Sequence, residues 1–111
     1  MGEAVVAIHF KDMHVDETVK DVLEKRCHGL SDEFPELTHL EVTLEPSGIR
    51  HAASGHATGK ATEVATHADG EEPRQAAEKV LDKLRAQLRR THDKRIFAHR
   101  RQAHRSHPRR S

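Results

Sequence analysis

Leu37-Thr38-His39-Leu40-Glu41-Val42-Thr43-Leu44-Glu45 alternates apolar and polar residues over most of its length. Successive side chains on a strand point to opposite faces. Leu40, Val42 and Leu44 therefore line one face, and His39, Glu41, Thr43 and Glu45 the other. A strand that is apolar on one side belongs to a sheet with one covered face and one open face. Pro46-Ser47-Gly48 is the turn expected after it.

The flanking stretches supply the rest of that sheet and its cover. Val5, Val6, Ala7, Ile8 and Phe10 form a short run rich in β-branched residues, which predicts a first strand over about 4–10. Lys11–His14 is a turn. Asp16 suits an N-cap, with Glu17 in the first turn where its charge complements the helix dipole. Val19, Val22, Leu23 and Leu30 recur at helical spacing with Cys27 beside them, which predicts a helix over 16–30. Gly29 is a candidate breaker, and Ser31–Glu36 with Pro35 reads as a loop.

Downstream, Ala53, Gly55, Ala57 and Gly59 alternate with Ser54, His56, Thr58 and Lys60. The period is that of a strand over 50–60, with very small inward residues. These suit a helix packed close above them. Thr62, Val64, Thr66 and Ala68 predict a fourth strand over 61–68, and Asp69–Pro73 a turn. A second helix is expected from about 72 to about 94, with Pro73 tolerated in its first turn. Its buried stripe is Ala76, Ala77, Val80, Leu81, Leu84 and Leu88. Nothing in Arg95–Arg101 would stop it. The expected fold is α+β, in the order β-α-β-β-β-α: a two-layer sandwich with a four-stranded sheet and both helices on one face.

Charge divides the chain. Residues 1–73 hold 6 Lys/Arg against 15 Asp/Glu, whereas residues 74–111 hold 13 against 3. A basic C-terminal third on an acidic body points to a polyanion partner, above all a nucleic acid. Lys79, Lys83 and Arg90 fall roughly along one side of the second helix, flanked by Arg85, Arg89 and Lys94. Cations so arrayed can neutralise phosphates. An ordinary solvated helix face would carry more acids than Glu78, Asp82 and Asp93. Lys11 is a further candidate for RNA binding, while Lys25 and Arg26 read equally well as local charge balance. Residues 99–111 are basic, lack apolar periodicity and are expected to be disordered in isolation. Their Arg100, Arg101, Arg105, Arg109 and Arg110 suit an electrostatic tether. The expected organisation is one domain over 1–98 and this tail.

Composition limits the alternatives. The 111 residues contain three Phe, no Trp and no Tyr, so base stacking on aromatics has little to work with. Phe10 and Phe34 are expected in the core. A single cysteine, Cys27, excludes an intramolecular disulfide and is expected to be a core residue. No stretch has the shape of a signal peptide or a membrane span, so a cytoplasmic location without membrane contact is expected. There are 11 histidines but no metal-binding spacing, and His99, His104 and His107 lie in the tail. No metal or cofactor is expected. Nothing pairs Asp16, Glu41 or Asp82 for acid–base work, and Asp82 is expected to balance Lys79 and Arg85. No enzyme or small-molecule substrate is read.

Three stretches carry a family resemblance. VVAIHFKDMHVDETVKDVLEKR resembles the strand, short loop and Asp/Thr-opened helix of the ribosome hibernation factors, the protein Y and hibernation promoting factor family. LTHLEVTLEPSG is similar to that family's second strand and turn. EEPRQAAEKVLDKLRAQLRRTHDKR is similar to its signature helix, matched at Ala76, Ala77, Val80, Leu81, Asp82, Lys83, Leu84, Gln87 and Leu88. The resemblance covers about residues 4–98. Glu72-Pro73-Arg74 stands where members usually have Asp-Met-Tyr, and Gly55, Ala57 and Gly59 where they carry larger apolar residues.

The resemblance implies a non-enzymatic factor, monomeric when free, that binds the small ribosomal subunit and its 16S-type rRNA. It would occlude the channel shared by mRNA and tRNA through contacts to the RNA backbone. The layout also resembles double-stranded-RNA-binding domains, which leaves a general structured-RNA-binding module as an alternative. A protein-binding regulator of the sigma-54 modulation type is another.

Overall fold

The alternating stretch becomes the second strand of a four-stranded sheet. The computed structural model describes residues 4–104, and the side chains of residues 4–91. The elements are β1 (Val5–Phe10), α1 (Glu17–Glu33), β2 (Leu37–Ser47), β3 (Arg50–Gly59), β4 (Thr62–Gly70) and α2 (Pro73–His104). Strand order is β1-β2-β3-β4. β1 and β2 run parallel, and the other two pairs are antiparallel. Parallel neighbours need a crossover, and α1 provides it. Both helices bury their apolar stripes against the sheet in one core. The expected α+β order is the observed one.

Asp16 caps α1 as expected, its carboxylate accepting from the Thr18 and Val19 backbone N–H groups at 3.1 and 3.2 Å. Gly29 does not end the helix. The chain stays helical to Glu33 because Leu30, Ser31 and Phe34 are buried together, and the Ser31 hydroxyl accepts from the Ala4 N–H at 3.1 Å. The expected loop at 31–36 is thus mostly helix. That extension brings Glu33 alongside α2.

Leu40, Val42 and Leu44 are fully buried. Leu37 is buried too, although its parity would send it to the open face. A register shift between Leu37 and His39 restores it to the core, the local effect of a β-bulge. β2 and β3 pair as far as Ser47 and Arg50, so the turn is Gly48-Ile49 rather than Pro46–Gly48, with Gly48 at φ +62°.

The small residues of β3 let α2 approach. A Cβ on Gly55 would stand 2.5 Å from Val80 Cγ1 and 2.9 Å from Leu84 Cδ1. β4 extends to Gly70, two residues past its expected end, and Pro73 opens α2. All six expected stripe residues, Ala76, Ala77, Val80, Leu81, Leu84 and Leu88, are buried. The Thr66 hydroxyl donates to the Val80 carbonyl at 3.2 Å, tying α2 to β4. Phe34 is buried and Phe10 partly so. α2 continues to His104, so it passes both its expected end near 94 and the boundary expected at 98. Of the basic tail, residues 105–111 lie outside the described residues. Among the described residues no helix is long and apolar enough to cross a membrane.

Candidate nucleic-acid interface

α2 presents its stripe to the sheet and its cations on two flanks. On the flank overhanging β4, Lys79 Nζ donates to the Asp69 carbonyl at 3.2 Å and Lys83 Nζ to the His67 carbonyl at 3.0 Å. β4 is an edge strand, and these two ammonium groups cover its carbonyls. A carbonyl orients a lysine without cancelling its charge. Each ammonium has three N–H donors, so two remain for phosphate oxygens. Arg90 is exposed on α2 beyond them.

The flank facing α1 is arranged differently. Arg85 donates from Nε and Nη2 to the two carboxylate oxygens of Glu33, at 2.9 and 3.0 Å. Arg89 Nη1 stands 3.7 Å from the same carboxylate. These interactions hold the Glu33 carboxyl below its ordinary range, chiefly through the Arg85 hydrogen bond, and raise Arg85 in turn. Asp82 acts on Arg85 through its charge, as expected, but its direct partner is neither Lys79 nor Arg85. Its carboxylate accepts from Arg26 Nη2 of α1 at 2.9 Å. Lys25 pairs with Asp21 at 3.5 Å, so Lys25 and Arg26 are both charge-balanced within the fold.

The structure thus brings Lys79 and Lys83 together on one flank and Arg85 and Arg89 on the other. Lys11 is apart from both: its backbone N–H extends the β1–β2 pairing to Leu44, and its Nζ lies 3.7 Å from Glu45. Lys94 falls in α2, with its side chain outside the described residues. Sequence reasoning misses Glu33, which falls in an expected loop and lies 52 residues from Arg85. The signal that could find it is the continuing helical spacing of Cys27, Leu30 and Phe34.

The open face of the sheet has the opposite character. His9 Nε2 meets Glu41 at 2.8 Å and His56 Nε2 meets Glu63 at 2.9 Å. Arg50 lies 3.4 Å from Asp69. Set against Lys11 and Arg50, the carboxylates of Glu41, Glu45, Glu63 and Asp69 leave this face net negative and less favourable for phosphate than α2. Among the described residues no group of three or more His, Cys, Asp or Glu could hold a metal ion. Cys27 is buried, and burial pushes its thiol up to about 11. A thiol so placed is a poor nucleophile at neutral pH.

A family model described as "Sigma 54 modulation protein / S30EA ribosomal protein" matches residues 6–96. Among solved structures, a ribosomal subunit interface protein from Coxiella burnetii superposes with a TM-score of 0.73 at 10% identity, covering 79% of this chain and 97% of that one. The Thermus thermophilus Protein Y N-terminal domain gives 0.69 at 18% identity, covering 79% and 98%. At such identities these likenesses show the fold. No curated protein matches the sequence.

Proposed function

Because the chain belongs to the Sigma 54 modulation protein / S30EA ribosomal protein family, whose members are ribosome-associated factors rather than enzymes, we propose that it silences translation by lodging on the small ribosomal subunit. In this reading α2 faces 16S-type rRNA, and the folded domain blocks the mRNA and tRNA channel. Lys79, Lys83, Arg85, Arg89, Arg90 and Lys94 contact the RNA backbone, and Lys11 assists from the β1–α1 loop. The protein acts in the cytoplasm and is a monomer when free.

The observation that carries this reading is the pair Lys79 and Lys83, held in place by backbone carbonyls with no carboxylate partner among the described residues. Cations fixed on a rigid helix recognise the shape of folded RNA rather than its sequence. The acidic open face gives the molecule one orientation on that RNA.

Co-sedimentation of the chain with 70S ribosomes and with separated subunits, across a salt series, tests the proposal. Saturable binding near one copy per small subunit, abolished when Lys83, Arg89 and Arg90 are changed to Glu, is the expected result. Equal binding to bulk stem-loop RNA would assign a general RNA-binding module instead. Absence of binding at low salt would turn the search to a protein partner. Exclusion of mRNA and tRNA from the loaded subunit tests the occlusion step itself.

A further inference from the structure

The α1–α2 seam holds two arginines on one carboxylate, and that arrangement does more than join two helices. Glu33 occupies Nε–H and one Nη2–H of Arg85. A guanidinium has five N–H donors, so three remain on Arg85. Arg85 and Arg89 are 48% and 58% exposed, so donors left over on both meet solvent. The two residues are four apart on α2 and therefore neighbours on its surface. Glu33 thus fixes one guanidinium and holds the second beside it, while reducing the net charge of the trio to a single positive unit.

Those two effects act on RNA binding in opposite ways. Non-specific binding counts charge: it follows the number of cations a polyanion can neutralise, whatever their arrangement. A carboxylate at the centre of the pair lowers that attraction. Recognition of a particular folded surface depends on short hydrogen bonds to phosphates at fixed positions. The outer donors remain available for these, and a guanidinium already held in place loses less freedom on binding. We propose that Glu33 is a specificity-determining residue of the RNA interface. It suppresses adhesion to arbitrary RNA while presenting Arg85 and Arg89 as a preset pair to an rRNA surface whose phosphates match them. The inference rests on the RNA-binding reading above and assigns a role to a residue outside the basic set.

The test compares the full chain with Glu33→Gln and Glu63→Gln. The second variant removes the same charge from the open face of the sheet. Affinity is measured for isolated small subunits and for a random-sequence RNA duplex in about 0.1 M salt, where charges beyond roughly 10 Å are screened. In Glu33→Gln, duplex affinity should rise by up to roughly fivefold, the upper range for one exposed ion pair. Subunit affinity should change less, so the ratio of the two falls. Glu33→Asp, which keeps the charge, should restore most of the ratio, and Glu63→Gln should leave it intact.

An unchanged or increased ratio in Glu33→Gln overturns the proposal, as does an equal fall in Glu63→Gln, which would make bulk charge the cause. Weaker binding of Glu33→Gln to both RNAs would make Glu33 a simple support for the arginines and also overturns it. A wild-type chain with no preference for subunits over duplex defeats the ribosome reading separately. In that case the role of Glu33 is decided by whether its variant alone gains duplex affinity. Helical circular dichroism of each variant confirms that the folded chain is compared throughout.

Discussion

The two flanks of α2 carry the same kind of charge and hold it by different means. Toward β4, Lys79 and Lys83 rest on the carbonyls of Asp69 and His67. Toward α1, Arg85 and Arg89 rest on Glu33, and Arg26 on Asp82. A backbone carbonyl directs a cation and leaves its charge for a partner. A carboxylate directs it and neutralises the charge inside the fold. Residue counts along the helix would rate the flanks alike, whereas their partners make the β4 flank the stronger attractor of phosphate and the seam the better-ordered one.

The largest effect should come from the element that seats both flanks. Valine at Gly55 places side-chain atoms where Val80 and Leu84 already stand. Overpacking of this kind costs about 1–3 kcal/mol, and a β-branched side chain under a helix should reach the top of that range. Urea unfolding of Gly55→Val measures the loss. A midpoint equal to that of the wild type would mean that α2 does not pack on β3 at this depth, and the contrast between its flanks would lose its basis.

Next in size is the contrast itself. Neutralising Lys79 and Lys83 together to Gln should flatten the salt dependence of subunit binding, its slope falling by about 0.7–0.9 for each phosphate left without a cation. The matched pair Arg85→Gln and Arg89→Gln should flatten it less, because Glu33 already offsets one of the two charges. Equal slopes from the two double variants would erase the distinction between the flanks.

That contrast is only half legible in the sequence. The stripes of β2 and α2 can be read directly because large apolar residues recur at the strand and helix periods. β3 is harder, since Ala53, Gly55 and Ala57 supply the period without the bulk, and their meaning depends on Val80 and Leu84 pressing from above. The end of α1 is misread from Gly29 because glycine tolerates a helix interior when neighbours such as Leu30 are buried. The candidate cations are visible as a charge excess. Their partners are not, because carbonyls leave no trace in side-chain patterns and Glu33 approaches from another helix.

Two changes in β4 and its hairpin should strengthen the fold without touching either flank. Thr62 Oγ1 is buried with no hydrogen-bond partner among the described residues. Thr62→Val should therefore gain about 1 kcal/mol, the lower end of the cost of an unsatisfied buried hydroxyl. Ala61 sits at φ 55° in the two-residue turn between β3 and β4. Ala61→Gly relieves a left-handed conformation that costs an L-residue about 1–2 kcal/mol, less the extra chain entropy of glycine. Thermal unfolding measures both gains. The salt slope of RNA binding should stay at the wild-type value, and a change in it would show that β4 stability rather than lysine charge sets the behaviour of that flank.

The smallest effect isolates the seam in the free protein. The folded state holds the Glu33 carboxyl below its ordinary value of 4.5, through the hydrogen bond and charge of Arg85 and the charge of Arg89. A carboxyl depressed on folding contributes stability that is present above its unfolded pKa and lost as pH falls through the folded one. The wild type should therefore unfold at slightly higher urea than Glu33→Gln near neutral pH. The two midpoints should converge as pH drops below about 4.5, the range in which Glu33 takes up a proton. The difference is small because the pair is solvent-exposed and screened, so it should also shrink in high salt at neutral pH. No such contribution belongs to the β4 flank, where a carbonyl has no proton to gain. A gap that persisted to low pH would come from the shape of the side chain rather than its charge, and the seam would then be held by packing instead of by the carboxylate.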